Sequence, residues 1–179
     1  ARLVITPDNK VLMSYSKYSI SICDETIQGN IIMDLNESKD KIFLGETIFI
    51  SPKNIKGRQK NWMPFVHDEN LYFIARVCPH EIYNVDWTGN RESFLEHTVE
   101  WKNNWFIKAS LRGNTNVVLL EDGNFLSTFH TAMHKESCVF YDNGCYIFEG
   151  KPPFKPLYSG HRTYLRAEAA RESYYRKAG

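Results

Sequence analysis

The sequence predicts an all-β fold of repeated antiparallel blades, a partial five-bladed β-propeller, followed by a short C-terminal helix. Three observations predict it. Up to about residue 158 the chain is a succession of short runs rich in β-branched and aromatic residues, separated by Asp, Asn, Gly and Pro. Three of the hairpin-like pairs carry an aspartate in the turn, at Asp8, Asp68 and Asp122, which lie 60 and 54 residues apart. From residue 161 the composition turns to Ala, Glu, Arg and Leu in helix-favouring abundance. A strand-only repeat of that length fits the four-stranded blade of a propeller, whereas a sandwich repeats its hairpins at shorter intervals. Three blades do not close a ring, so the remaining blades are expected from a longer protein or from a partner chain. Residues 1–158 are read as the partial propeller and 159–179 as a helical tail or linker.

The elements follow in order. RLVIT and VLMSYS flank Pro7-Asp8-Asn9-Lys10, and NIIMDL and KIFLGETIFIS supply two more strands. Residues 52–60 (PKNIKGRQK) are a polar loop, as are residues 88–92. FV and LYFIARV flank His67-Asp68-Glu69-Asn70, with EIYNVDW after them and WFIKAS further on. NVVLL and FLSTFH flank Glu121-Asp122-Gly123-Asn124. SCVFY and CYIFEG flank Asp142-Asn143-Gly144, where Asn-Gly marks a tight hairpin turn. That turn would set Cys138 and Cys145 several pairs apart, so the two are not expected to bond. Cys23 and Cys78 sit in apolar strands and read as buried thiols.

Bulk properties exclude several classes. With 22 Lys+Arg against 21 Asp+Glu the formal charge is +1, so no global field points to nucleic acid or to a membrane surface. No apolar run reaches the roughly 20 residues of a membrane span. The four cysteines form no disulfide framework at this length, and no Cys/His spacing suggests zinc. Asn36-Glu37-Ser38 is a lone glycosylation sequon. The chain starts at Ala1 directly in a strand pattern, which reads as a fragment or a processed product. Aromatics make up 14 %, and those left exposed would be suited to stacking on sugars or bases.

In a propeller the first strands of successive blades surround a channel, and ligands bind at its mouth. Each repeat here opens on a cation: Arg2 before the first strand, Lys60 with Asn61 and Trp62 before the second, and Arg112 with Gly113 before the third, whose hairpin ends at His130. Three cations converging on one mouth make an anion or sugar-hydroxyl site, because guanidinium groups bond phosphate, carboxylate or vicinal hydroxyls in forks and an ammonium acts as a point charge. Trp62 would offer a flat face to a pyranose ring. Taken singly, each has a structural reading as well: Arg2 as a strand flank, Lys60 as one of a solvated trio with Lys56 and Arg58, Trp62 as core, His130 as a satisfied buried histidine, and Arg112-Gly113 as a β-bulge.

The pieces Arg2-Leu3-Val4, Lys60-Asn61-Trp62-Met63-Pro64-Phe65, Pro79-His80, Arg112-Gly113-Asn114-Thr115, Leu126 to His130, and Phe148 to Phe154 resemble the blade motifs of glycoside hydrolase family 130, the five-bladed propellers of mannoside phosphorylases, mannosidases and related mannosyltransferases. The resemblance covers about residues 1–158. It implies glycosyl transfer on mannoside-like glycans, with Arg2, Lys60 and His130 near the phosphate or nucleophile side and Asn61, Arg76, His80 and Arg112 as further contacts. It implies no cofactor; inorganic phosphate or a sugar nucleotide would enter as substrate, and the partner would be an oligosaccharide or sugar phosphate. Ala1 stands where the family has the proline of its Glu-Asp-Pro-Arg motif, so the family's acidic pair, and with it the general acid, would fall just before this chain. Asp34, Asp86 and Glu121 are the remaining carboxylates that suggest themselves as stand-ins, and none is assigned. Two other readings stand beside this one: a glycosyltransferase-associated propeller whose cations face a sugar nucleotide, and a non-catalytic propeller that binds glycans or proteins.

Overall fold

The computed structural model describes residues 1–18, 26–34, 43–49, 60–87, 93–101, 111–135 and 138–160. These residues are all-β and form three antiparallel sheets; among them there is no helix, and the sheets close into no barrel or ring. The helix expected in the tail lies outside the described residues, as do WFIKAS and Cys23.

The first sheet is a meander of β1 (Arg2–Ile5), β2 (Val11–Tyr18), β3 (Thr26–Asp34) and β4 (Phe43–Phe49). The middle sheet is a second meander of β5 (Met63–His67), β6 (Asn70–Arg76), β7 (His80–Val85) and β8 (Ser93–Val99). In the third, β9 (Arg112–Gly113) and β10 (Val118–Leu119) both pair with β11 (Phe125–Lys135), which pairs with β12 (Cys138–Phe148) and then β13 (Pro156–Ser159). Thus NVVLL is paired only at its centre, and SFLEHTV (β8) and PLYS (β13) are strands without a clear sequence signal.

Turn chemistry sets the first hairpin of each sheet. Asn9, at φ 59°, turns the chain while the Thr6 and Asn9 amides bond Lys10 O and Thr6 O at 2.8 and 2.9 Å. Asp68 and Glu69 form a two-residue turn with φ 44° and 60°, between the paired His67 and Asn70, as the twist of a hairpin requires. Gly123, at φ 81°, closes the third turn, where Asp122 accepts from the Asn124 amide at 2.9 Å. The three turn aspartates therefore occupy the same station in successive sheets.

The Asp142-Asn143-Gly144 turn does not form. β12 runs straight through these residues, in register with β11 from Phe125↔Phe148 to Lys135↔Cys138. The Phe129 ring lies over its partner Gly144, so close that a Cβ there would fall 2.5 Å from the ring. Glycine serves here as a seat for a cross-strand aromatic rather than as a turn. Cys138 and Cys145 thus share one strand, and Cys145 is free. Cys78, read as a buried thiol, is only half-buried and donates to Trp101 O at 3.1 Å.

The middle sheet is covered on both faces. One face puts Met63, Phe65, Tyr72, Ile74 and Ile82 against Phe125, Phe129, Tyr146, Phe148 and Phe154 of the third sheet region. Phe65 meets Phe125 and Phe154 edge-on at 5.1 and 5.2 Å. The other face puts Leu71, Phe73, Tyr83 and Val85 against Leu12 and Val4 of the first sheet. This is why β6 reads as the unbroken run LYFIA: a strand covered on both sides does not alternate. The flanking sheets do alternate. In the first, Arg2, Thr6, Leu12 and Ser14 are buried toward the middle sheet, while Leu3 and Ile5 point outward, Ile5 with 64 % of its surface exposed. In the third, Phe125, Ser127, Phe129 and Thr131 point inward, while Val118, Leu126, Ile147 and Tyr158 line the outer face, Tyr158 at 70 % exposure.

Candidate functional site

The openings of the three first strands meet. Arg112 and His130 are direct cross-strand partners in β9 and β11, so both side chains lie on one face of the third sheet. The next residue, Gly113, lies against the approach to β5: a Cβ there would fall 2.5 Å from Asn61 O and 2.7 Å from the Met63 side chain. Only glycine lets the two backbones come this close. The Gly113 carbonyl accepts from Arg2 Nη2 at 3.0 Å, and the Leu3 amide donates to Asn116 Oδ1 at 3.1 Å, which ties β1 to the same spot. Asn61, in the left-handed region at φ 65°, donates its amide to Ser16 Oγ of β2 at 3.3 Å.

Charge at this junction is of one sign. Arg2 is 7 % exposed, its Nε is buried without a hydrogen-bond partner, and desolvation lowers its pKa. Half-buried His130 also has its pKa lowered, first by desolvation and then by the charges of Arg112, Arg2 and Lys60, with a hydrogen bond to the Gly113 backbone opposing them. Among the described residues no carboxylate forms an ion pair with Arg2, Lys60 or Arg112. A buried guanidinium with an idle donor, beside two more cations, is an electrostatic deficit that an oxyanion would fill.

Two residues expected at a ligand are instead core. Trp62 is fully buried, stacked on Tyr83 at a centroid distance of 5.0 Å and tilted against Phe73 at 6.0 Å, so no sugar reaches its face. His80 is fully buried as well: Nδ1 bonds Phe154 O at 3.0 Å and Nε2 faces Tyr146 OH at 3.3 Å. Arg76 is exposed, and its Nε lies 3.4 Å from Glu81 Oε2, away from the cation group. Asn61 contributes its backbone to the junction, its amide on Ser16 and its carbonyl over Gly113. Asp86 follows β7 and Glu121 sits in the β10–β11 turn, both exposed; Asp34 ends β3, and its side chain lies outside the described set.

Sequence reasoning missed Tyr141. It is 50 % exposed, and its ring centroid lies 5.8 Å from that of His130. It also missed Asn143, the residue paired with His130 in β12, whose Oδ1 accepts from Asn114 Nδ2 at 2.9 Å. The alternation of β12 would have pointed to both, but only once Asp142-Asn143-Gly144 is read as strand. Among the described residues no group of His, Cys, Asp or Glu could hold a metal ion. No protein-family model matches the chain, and no match is found among curated proteins.

Proposed function

We propose that the three sheets are consecutive blades of a β-propeller and that the junction of their first strands is the anion-binding side of a carbohydrate-active site, serving glycosyl transfer on mannoside-like glycans. The observation that carries this reading is that Arg112 is the cross-strand partner of His130 while buried Arg2, with an unpartnered nitrogen, bonds the adjoining Gly113 carbonyl, and the charges of both and of Lys60 act on the His130 ring. The cations come from three successive repeats at equivalent stations, as a channel mouth requires. The order of motifs that resembles the family 130 propellers adds the substrate class.

The bare faces of the flanking sheets support further blades. The middle sheet has an apolar neighbour on each side, and the same stacking repeated at Ile5 of the first sheet and Tyr158 of the third would cover the two outer faces. Those blades would come from the rest of a longer protein or from a partner chain. A second reading, a propeller that binds a glycan without turning it over, is favoured by one observation: among the described residues the charges acting on His130 are cationic, and no carboxylate of that set acts on it.

Binding and turnover separate the two. Inorganic phosphate and mannose 1-phosphate, titrated by calorimetry, are expected to bind, and Arg112→Ala to weaken binding by about tenfold or more, the worth of a charge-assisted hydrogen bond, with the fold intact. Release of mannose 1-phosphate from manno-oligosaccharides and phosphate would support the enzyme; binding without release would support the binding module. Absence of phosphate binding in folded wild-type protein refutes the anion site on which the first reading rests.

A further inference from the structure

Resting on the anion-site reading, we propose that binding of an oxyanion at this junction takes up a proton at His130, so that the site holds its anion more tightly as the pH falls.

The half-buried ring shares with Arg112 the face of the third sheet opposite to Phe129, at the edge where β1 and the approach to β5 come in. Arg112 faces it from β9 as its cross-strand partner. Arg2 reaches the Gly113 carbonyl next to it from β1, and Lys60 acts on it from the approach to β5. From β12, Tyr141 lies at ring-contact distance and Asn143 is its paired residue. Among the described residues the charges that act on the ring are positive. With the site empty, a fourth positive charge is opposed and the ring stays neutral. An oxyanion among the same side chains reverses the sign of the local potential, and the imidazolium becomes the favoured form. His130 then gains a second N–H donor for the anion, while Gly113 O continues to accept from the cluster. Linkage makes the effect reciprocal: the factor by which protonation tightens anion binding equals the factor by which the anion favours protonation. The device differs from a fixed anion site made of arginine and lysine alone, whose charge does not change in this pH range.

Sulfate is the probe, because it stays fully ionised across the range and brings no titration of its own. Its affinity is measured by calorimetry at pH 7.5 and pH 5.5 for wild type and for His130→Gln, and the His130 Cε1–H resonance is followed by NMR through a pH titration with and without sulfate. Wild type is expected to bind sulfate about tenfold more tightly at pH 5.5, within the usual range of coupling between two sites. The His130 resonance should titrate at higher pH when sulfate is present, and His130→Gln should lose the pH dependence, since every other titrating group is common to both proteins. Sulfate binding with equal affinity at both pH values and an unmoved His130 titration would overturn the inference while leaving the anion site. No sulfate binding at either pH, in folded protein, would overturn the anion site and this inference with it.

Discussion

His80 should make the protein acid-sensitive well above the range of its carboxylates. The Phe154 carbonyl can only accept, so Nδ1 must carry the hydrogen of the 3.0 Å bond, and Nε2 must accept from the Tyr146 hydroxyl. That fixes a neutral tautomer in a fully buried site beside Phe148 and Tyr146. Burial pushes the His80 pKa down from 6.5 to about 4, against the weaker pull of the Phe154 carbonyl. In the unfolded chain the ring protonates near its ordinary value. Between those limits the unfolded state therefore binds a proton that the native state refuses, and stability falls as the pH drops from 6.5 toward 4. At 1.36 kcal/mol per pKa unit the full loss is about 3 kcal/mol, a large share of a domain's typical stability of roughly 5–15 kcal/mol. Urea unfolding followed by tryptophan fluorescence at pH 7.5, 6.5, 5.5 and 4.5 reads it directly. His80→Gln should be less stable than wild type at pH 7.5, because the ring's two hydrogen bonds are disturbed, yet its stability should fall less steeply on acidification. His130, whose pKa is also lowered, adds a slope of the same sign to both proteins, so the difference between them isolates His80. Equal slopes in the two proteins would refute the assignment of a neutral, enclosed His80.

Two further outcomes follow from single contacts. Gly113→Ala should destabilise the protein by about 1–3 kcal/mol, the usual cost of overpacking, and should weaken phosphate binding too, because the added Cβ meets the Asn61 carbonyl, which cannot turn away, as well as the Met63 side chain; a variant with wild-type Tm and affinity, measured by thermal melts and calorimetry, would show that the close approach is not needed. Asp8, for which burial alone would raise the pKa, is instead held at about 2 by hydrogen bonds from Thr6, Lys10 and Trp87 and by the Lys10 charge. Its contribution should therefore be present above pH 3.8 and be lost as the pH falls toward 2, and Asp8→Asn should flatten that part of the acid-unfolding curve; an unchanged curve would remove Asp8 as its source.

The sequence was most legible where the cause is local. Asn9, Asp68 and Gly123 sit in turns because each tolerates or requires a positive φ, and that preference travels with the residue. Asn143-Gly144 carries the same local signal and fails, because a distant ring, Phe129, occupies the space over the glycine. Trp62 and His80 were misread for a related reason. In a strand covered on one side, alternation separates buried from exposed positions, but Trp62 and Met63 are neighbours and both are fully buried, since the middle sheet has an apolar partner on each face. Arg112 and His130 were legible as the two ends of a hairpin, but that they are direct cross-strand partners depends on register, which the gap between β9 and β10 hides.

The placement of charge separates the junction from the rest of the molecule. The other close pairs of the described residues set a carboxylate against a basic side chain with at least one exposed or half-exposed partner: Lys10 with Asp8, Arg76 with Glu81, and the rings of His67 and His97 with Asp68 and Glu96. Such pairs contribute little to stability and need no ligand. At the junction the rule is reversed. Arg2 is buried, one of its nitrogens has no acceptor, and burial alone penalises its charge. A strand flank serving the fold alone would be better filled by an apolar residue of similar volume, because a buried cation without a counter-charge carries a desolvation penalty that packing does not return. Leu12 and Val4 show that the same face of the first sheet accepts apolar side chains. Arg2 to Met, with Lys60 and Arg112 intact, should accordingly raise Tm while weakening phosphate binding. A fall in both would mean that the guanidinium's bond to Gly113 O holds β1 in place, and the charge would then need no anion to account for it.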